Sequence, residues 1–466
     1  MSPGSPPTVW QKVERDPSNQ LHIVVVGAGL GGLGAAIAIL LAGHKVTVLE
    51  SASEIGEIGA GIQVLPNSSR ILISWGLEDK VAKHATMPRY ANMIGWKGNF
   101  LSRMDLHAYA KAMGTPFWDF HRANLHRCLL DRAMELGAEL RVKSRVTTIE
   151  YAQDGLTASA VLSDGKAVSA DLIVGADGIS SQLREVLLGK PDPPLPTGDL
   201  AYRLLINTKD MLADPELRHF IEDPQVNYWM GPDAHAVNYV LRGGELFNMV
   251  LLVPDDMPEA AMTVDGNVEE MQALYKGWDP KIGKILNLCQ SVQKWKLCIR
   301  PTLEQWTHHT GTFTLLGDAV HATLPYLASG CGMALEDAAA LGLCLSKLTD
   351  RSREQKVHAL KVYEECRKER TEMVVARGNF QQYMYHIHDG EEQRDRDERL
   401  KKFGEIDEEL FKNPEALTQP RTESGDDPLP WRYYGVGGWL LTYDLEKDVE
   451  HRWDQILDEA KARPLL

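Results

Sequence analysis

Cysteine is scarce in this sequence and nowhere arranged to do chemistry. Six cysteines (128, 289, 298, 331, 344 and 366) are spread over 466 residues without a C-x-x-C pair, and most fall in apolar or helical stretches. That pattern argues against a disulfide framework and against a thiolate metal site, and it fits a reducing, cytoplasmic setting. Long apolar runs are missing too. No uncharged apolar stretch reaches 18 residues, so no membrane-spanning helix is expected. Positive charge is in deficit: 50 Lys and Arg against 65 Asp and Glu give a formal net charge of −15. A surface of that sign disfavours nucleic acid and anionic membranes as partners and keeps the protein soluble. The first twenty residues lack the apolar core of a signal peptide. Their Pro, Ser and Gly content predicts a flexible arm over 1–20. There is no internal repeat and only one G-x-G-x-x-G.

The rest is ordinary globular composition, 44% hydrophobic and 25% charged, in a chain long enough for two or three domains. Its organising stretch is LHIVVVGAGLGGLGAAIAILLAGHKVTVLE, residues 21–50. An apolar, β-branched run (Leu21 to Val26) reads as a buried parallel strand. Gly27, Gly29 and Gly32 then fit G-x-G-x-x-G, a small-residue helix follows, and a second strand ends on Glu50. Gly27 permits the sharp turn, Gly29 clears the approach of a pyrophosphate, and Gly32 lets helix and strand touch. The helix N-terminus offers unpaired N–H groups to phosphate. Glu50, 18 residues beyond Gly32, stands where a carboxylate accepts hydrogen bonds from a ribose diol. It would repel a 2′-phosphate, which favours FAD or NAD over NADP.

Further along, Gly59, Gly61 and Pro66 mark a loop leading into a helix. Residues 91–118 are aromatic and strand-like, and 121–137 are helical. Residues 139–178 alternate as strands around Asp154-Gly155 and Asp164-Gly165 turns, then return to a buried strand at 171–175. Residues 198–255 alternate again. A buried strand in 312–320 leaves at Gly317-Asp318, followed by an apolar helix over 332–347. From 351 the pattern is helical and charged. Residues 389–427 are polar enough to predict a solvated helix and loop, whereas the aromatic run 428–444 must pack on something. Parallel-sheet pieces separated by antiparallel-looking ones predict an α/β fold, a Rossmann-like domain built from non-contiguous segments with a second sheet inserted between them.

At this point the chain resembles a known family. The motifs IVVVGAGLGGLGAAIAILL (23–41), EIGAGIQVLPNSSRIL (57–72), the R-x-x-L of Arg122 to Leu125, ADLIVGADGISSQLR (170–184) and LLGDAVHATLPYLASGCGMALEDAAAL (315–341) resemble those of the single-component FAD-dependent aromatic hydroxylases. That is the para-hydroxybenzoate hydroxylase superfamily; the likeness is to its salicylate hydroxylase and 3-hydroxybenzoate 6-hydroxylase branch, of fungal type. It covers about 21–380 and, faintly, 428–444. It implies a discontinuous FAD-binding domain (21–90, 119–197 and 300–350), a mostly antiparallel β-sheet substrate domain (91–118 and 198–299) and a C-terminal helical region (351–466). It also implies residue roles. Glu50 would hold the adenosine ribose, Arg122 the FAD phosphate or ribityl region, and Asp318 the ribityl chain. Gly61 would let backbone approach the flavin. Asp177 is tied to FAD and nicotinamide handling; its plain alternative is a turn Asp paired with Arg184. Cys331 and Gly332 would open a helix whose N–H groups face the flavin N1–C2 carbonyl, where negative charge develops on reduction. Cys331 stands where Ala is frequent. Arg203 and Tyr239 match positions placed over the substrate, and His235, four residues before Tyr239, shares its strand face. His321 would hydrogen-bond behind the residues that touch the cofactor, or serve only to hold its loop. Ser329 stands where the 3-hydroxybenzoate branch tends to carry a Gln, a departure that weighs against carrying over that branch's substrate.

The activity implied is monooxygenation of a phenolic aromatic ring, with tightly bound FAD and with NAD(P)H and O2 as co-substrates. Oxygen is delivered from the flavin C4a position, and the ring must react as phenolate, since a free phenol has a pKa of about 10. Arg203 would lower that pKa; Tyr239 and His235 would orient the phenol oxygen or relay its proton. Lacking a second dinucleotide fingerprint, the chain would hold NAD(P)H only transiently. A monomer or homodimer is expected. Oxidative dearomatisation or epoxidation of a polyketide or other secondary metabolite is an alternative, and so is a non-catalytic binding protein of this fold. The absence of W-x-W-x-I-P disfavours a halogenase.

Overall fold

The computed structural model describes residues 7–56, 59–412, 427–432 and 436–462. A five-stranded parallel sheet is assembled from distant pieces of chain in the order Phe313–Leu315, Leu172–Gly175, His22–Val26, Lys45–Leu49 and Glu139–Arg141. Strand His22–Val26 lies at its centre, in register with Leu172–Gly175 on one side and Lys45–Leu49 on the other. That position is why it reads as an unbroken apolar run. A three-stranded antiparallel sheet (Val146–Tyr151, Ala158–Leu162, Ala167–Ala170) follows the two Asp-Gly turns. Each turn Asp accepts from the backbone two residues on, Asp154 from Leu156 N and Asp164 from Lys166 N.

The helix Leu30–Leu41 packs on the sheet and also, closely, on helix Gly330–Ser346. A Cβ added at Gly342 would stand 2.6 Å from Ala38 Cβ, so the small residues of both helices set their separation. The second large sheet has eight strands, ordered Thr263–Gly266, Val292–Ile299, Leu195–Asn207, Leu246–Pro254, Ala234–Leu241, Val226–Gly231, Tyr90–Gly95 and Phe100–Asp105. All its pairings are antiparallel except Val226–Gly231 with Tyr90–Gly95.

The 33-residue helix Arg353–Tyr385 is pinned to Gly330–Ser346 through buried charge. Arg367 Nη2 donates to Glu336 Oε2 (2.7 Å) and its Nε to Asp337 Oδ1 (2.8 Å); Arg370 Nη2 donates to Glu336 Oε1 (2.7 Å). Burial alone would raise the Glu336 pKa, yet these guanidinium groups bring it down to about 2. The other oxygen of Asp337 accepts from Gly317 N (3.0 Å) and bonds His321 Nε2 (2.5 Å). His321 therefore braces the Gly317-Asp318 turn from behind.

Two expectations change. The N-terminal segment, expected to be flexible over 1–20, is tied to the fold at Trp10, Val13 and Arg15, although most of its described residues stay exposed and residues 1–6 lie outside the described set. Trp10 Nε1 donates to Glu446 Oε1 (2.7 Å), and Arg15 donates to the carbonyls of Leu348 (2.6 Å) and Leu345 (2.8 Å) at the end of helix Gly330–Ser346. Cationic donors suit the exposed carbonyls of a helix C-terminus. Within 389–427, expected to be solvated, helix Glu391–Lys412 buries Leu400, Phe403 and Leu410, and Ser102 Oγ donates to Leu400 O (2.8 Å). Its polar composition hid this because Arg396 and Asp397 are buried together as a pair; residues 413–426 lie outside the described set. The aromatic run beyond reaches back over the sheet, Trp431 Nε1 donating to Leu327 O (3.0 Å).

Candidate active site

The two large sheets meet at a cavity of about 310 Å3. Its upper wall is built from chain ends of the parallel sheet. Gly27, at φ +105°, turns the chain off the central strand beside Ala176 O, where a Cβ would stand only 2.4 Å away. A Cβ at Gly32 would lie 2.0 Å from Gly27 O, so that glycine is demanded by helix–strand contact. Gly29 differs. Its φ of −72° suits any residue, no atom lies within 4 Å of an added Cβ, and it lines the cavity. Neither backbone strain nor protein packing requires glycine there, and the open side it leaves at the helix N-terminus suits a phosphate group.

Glu50 is half-buried next to this turn. Its Oε2 accepts from Ala28 N (2.9 Å) and its Oε1 from Ala52 N (2.7 Å). Burial opposes its charge, but these hydrogen bonds hold it below the usual carboxylate range, so it is an anion with lone pairs left to accept from hydroxyls. Asp318 lies deep in the protein yet presents open surface, and it lines the cavity. Burial raises its pKa, with His321 and Arg122 pulling the other way. Arg122, at the start of helix Arg122–Leu136, also lines the cavity. Cys331 lines it in the first turn of helix Gly330–Ser346, which begins one residue earlier than Cys331; Gly332 is buried instead against Ser68. Ala328, at φ +51°, and buried Ser329 shape the approach to that helix.

Asp177 is placed differently from its neighbours. Ala176 and Gly178 line the cavity, while both Asp177 oxygens are engaged within its own turn, accepting from Ser181 Oγ (2.6 Å) and Leu183 N (3.1 Å). It is not paired with Arg184, which donates to Asp192 Oδ2 (2.5 Å) and Val320 O (2.7 Å).

The floor is one face of the eight-stranded sheet. Register sets Arg203 opposite Val250, Val250 opposite Val237 and Val237 opposite Tyr228. One row to one side stand Ala201, Leu252 and His235; one row to the other stand Asn248 and Tyr239. Arg203, His235 and Tyr239 all line the cavity. Four residues along a strand is about 13 Å between Cα atoms, so a single ring fits between His235 and Tyr239. The Arg203 guanidinium stacks on Trp295, 4.8 Å from the ring centroid, and no carboxylate is paired with it among the described residues. Burial lowers its pKa from the ordinary arginine value, Arg122 adding to the effect; a guanidinium stays charged even so. Burial also pushes the Tyr239 hydroxyl well above its ordinary range.

Several site residues had no local signal. Gly61 N donates to Asn248 Oδ1 (2.8 Å), and a Cβ at Gly61 would stand 2.4 Å from Tyr239 Cε2. Glycine at 61 is thus required first by protein neighbours, a reason separate from the flavin approach expected of it. Tyr228 Oη donates to Gln63 Oε1 (3.3 Å) and Gln63 Nε2 to Asp119 Oδ1 (3.0 Å). Asp119 is fully enclosed, and burial pushes its pKa up to about 8. Tyr326 lines the cavity and donates to Asp199 Oδ2 (2.5 Å).

An open-sided glycine at a helix N-terminus, a ribose-competent carboxylate, a cation and a buried acid along one cleft fit an FAD laid from Glu50 to Cys331. Comparison with known proteins agrees. The FAD binding domain family matches residues 20–378. The chain is 42% identical over 397 residues to the FAD-dependent monooxygenase OpS4 of Beauveria bassiana, covering 84% of this chain and 91% of that one. It is 33% identical over 369 residues to 3-hydroxybenzoate 6-hydroxylase of Polaromonas naphthalenivorans, covering 78% and 88%. A salicylate hydroxylase solved as its substrate complex shares the fold at a TM-score of 0.73 and 20% identity, covering 93% of this chain and 98% of that one. With the cradle built as the cofactor requires and the family matched over most of its length, the chain belongs to the FAD binding domain family and is an FAD-dependent monooxygenase of the aromatic hydroxylase type.

Proposed function

We propose that this flavoprotein hydroxylates a phenolic ring, taking electrons from a transiently bound NAD(P)H, with Arg203, Tyr239 and His235 as the substrate-side residues. The observation that carries the reading is the unneutralised Arg203 charge in an otherwise largely apolar floor. A phenolate about 4 Å from a guanidinium gains roughly 4 kcal/mol at an effective dielectric constant of 20. That is worth about 3 pKa units before desolvation, which opposes it, and would bring a phenol from about 10 towards 7. Val237, Val250 and Leu252 give the ring its apolar seat and keep water from it.

When bound, FAD supplies the electrons and the activated oxygen. The chain's own residues hold the substrate. Arg203 favours the phenolate and anchors an acidic substituent, Tyr239 fixes one end of the ring, and His235 receives the phenol proton at the other. Glu50, Arg122 and Asp318 hold the cofactor, with Asp177 ordering the turn between them. We assign 21–90, 119–197 and 300–350 to the cofactor unit and 91–118 with 198–299 to the substrate unit.

The test is a screen of phenolic acids, beginning with 3-hydroxybenzoate and salicylate, for NAD(P)H oxidation stimulated by the phenol and yielding a product one oxygen heavier. Arg203→Ala should retain FAD, lose roughly 1.5–3 kcal/mol of charge-assisted substrate contact, and divert reducing equivalents to hydrogen peroxide. Tyr239→Phe keeps the packing and deletes only the hydroxyl. Full, coupled turnover by both variants would refute the assignment. Protein as isolated should release FAD but no nicotinamide on denaturation.

A further inference from the structure

His235 does not end at the cavity wall. Its Nδ1 lies 2.7 Å from Nε2 of His386, the residue that closes the helix Arg353–Tyr385. Nδ1 of His386 faces Asp199 Oδ2 at 3.7 Å, and the same oxygen accepts from Tyr326. His235 is buried, whereas His386 keeps 11% of its side chain exposed. The backbone holds this alignment: Asp233 N donates to His386 O (3.1 Å), and Tyr275 Oη donates to His235 O (2.9 Å).

Proton positions follow from the partners. If His386 donated from Nε2, its Nδ1 would turn a lone pair on the Asp199 carboxylate. The favourable arrangement puts the His386 proton on Nδ1, facing Asp199, and makes Nε2 the acceptor of the His235 Nδ1 proton. His235 then carries its lone pair on Nε2, which has no hydrogen-bond partner among the described residues. Burial keeps both rings neutral at physiological pH, each imidazole titrating below its ordinary value. The charged and titratable groups around the pair are Asp199 from one strand, Asp233 and its partner His388 at the surface, Tyr275 and Tyr326 from flanking turns, and Tyr385 beside His235 at 5.0 Å between ring centroids.

We infer that His386 and Asp199 form, with His235, a proton outlet from the substrate cavity to solvent, His386 acting as a positioning and relay residue for the hydroxylation. This rests on the phenol reading given above. The phenol proton passes to His235 Nε2 as the His235 Nδ1 proton passes to His386 Nε2. His386 then gives up its Nδ1 proton to water under the field of Asp199. Three N–H or O–H bonds break, three form, and one proton reaches solvent. The reverse sequence, run when the product oxygen regains a proton, resets both rings. Such a device is needed because Arg203 can stabilise a phenolate but cannot accept a proton.

The experiment uses FAD-loaded wild type, His386→Ala and Asp199→Asn, with the phenol found in the screen and ring-fluorinated analogues of graded acidity. Both variants should keep the wild-type flavin content and hydroxylate the parent phenol at least tenfold more slowly at pH 7. Their rates should climb as pH approaches the phenol's own pKa or as fluorination lowers it, while the wild type stays nearly flat. Added imidazole should restore part of the rate of His386→Ala. Should His386→Ala fail to fold, Asp199→Asn, which changes one oxygen to an amide, decides alone. Variants with wild-type rates, or a rate loss independent of pH, phenol acidity and imidazole, would overturn the outlet while leaving phenol hydroxylation standing. A wild type that hydroxylates no phenol would overturn both.

Discussion

Gly29→Ser separates ligand recognition from folding. Gly29 is the N-cap of helix Leu30–Leu41, with φ −72° and ψ −178° and nothing within 4 Å of an added Cβ. Serine adopts that backbone without strain and is a better N-cap than glycine, by a few tenths of a kcal/mol. It also loses less conformational entropy on folding, a gain of about 0.4–1 kcal/mol for comparable replacements of glycine. The flavin-free protein should therefore be as stable as the wild type or slightly more so. The same side chain stands where the pyrophosphate must meet the helix N-terminus, and its hydroxyl competes for the N–H groups the phosphate would use. Losing one charge-assisted hydrogen bond is worth roughly 1.5–3 kcal/mol, an FAD affinity about 10- to 150-fold weaker. Thermal melting of apoprotein gives the first quantity, and quenching of flavin fluorescence on titration gives the second. Wild-type FAD affinity, or an apoprotein destabilised by more than about 1 kcal/mol, would refute the reasoning.

Asp318→Ala and Glu50→Gln should each reduce the flavin-to-protein ratio after gel filtration, since both remove an acceptor for sugar hydroxyls; an unchanged ratio in both would contradict their roles. Asp318→Ala should do so without loss of fold, because burial already disfavours that charge. Asp119→Asn tests the enclosed acid behind Gln63. Its folded pKa of about 8 lies above the unfolded value of 3.8, so the unfolded state binds fewer protons between those limits. Stability must fall as pH rises through that window, by at most about 1.4 kcal/mol per pH unit. The asparagine variant should lose this slope in urea melts at pH 4.5 and 7.5; parallel profiles would show that Asp119 is ionised in the fold.

The parts of the site legible in the sequence are those whose cause is local. Gly27 and Gly32 are dictated by a turn and a helix–strand contact within one short segment, and Glu50 by the distance to the next strand end. Arg203, His235 and Tyr239 could be placed on strand faces by period 2, but what surrounds them could not. Asn248 sits beside Tyr239, and Trp295 beneath Arg203, through sheet register alone. Asp119 approaches Gln63 across a two-stranded ladder, Gly61–Val64 with Trp118–His121. His386 comes from the far end of a 33-residue helix, 151 positions from His235. Composition misled twice, and for one reason: Arg15, Arg396 and Asp397 look solvated in a sequence, yet each is satisfied by carbonyls or an opposite charge inside the fold.

The two sides of the cleft differ in what a mutation can reach. The wall on the parallel-sheet side is shaped by backbone, in turn glycines, helix termini and a braced Gly317, with the side chains of Arg122 and Asp318 set among them. The substrate floor is side chains on a pleated sheet, where neighbours alternate between faces. Ala201, Tyr228, Tyr239 and Leu252 belong to the core on the cavity side, while Tyr202, Leu204, Ala236, Val240 and Leu251 belong to a separate core beneath the sheet. The side chains of the two layers pack in separate clusters, divided by the backbone ladder. Positions 201, 203, 235, 237, 239, 250 and 252 line the cavity from the sheet side. The same construction holds the Arg203 guanidinium with no carboxylate paired to it among the described residues, Trp295 supporting it by stacking; on the reading proposed above, that charge serves the substrate.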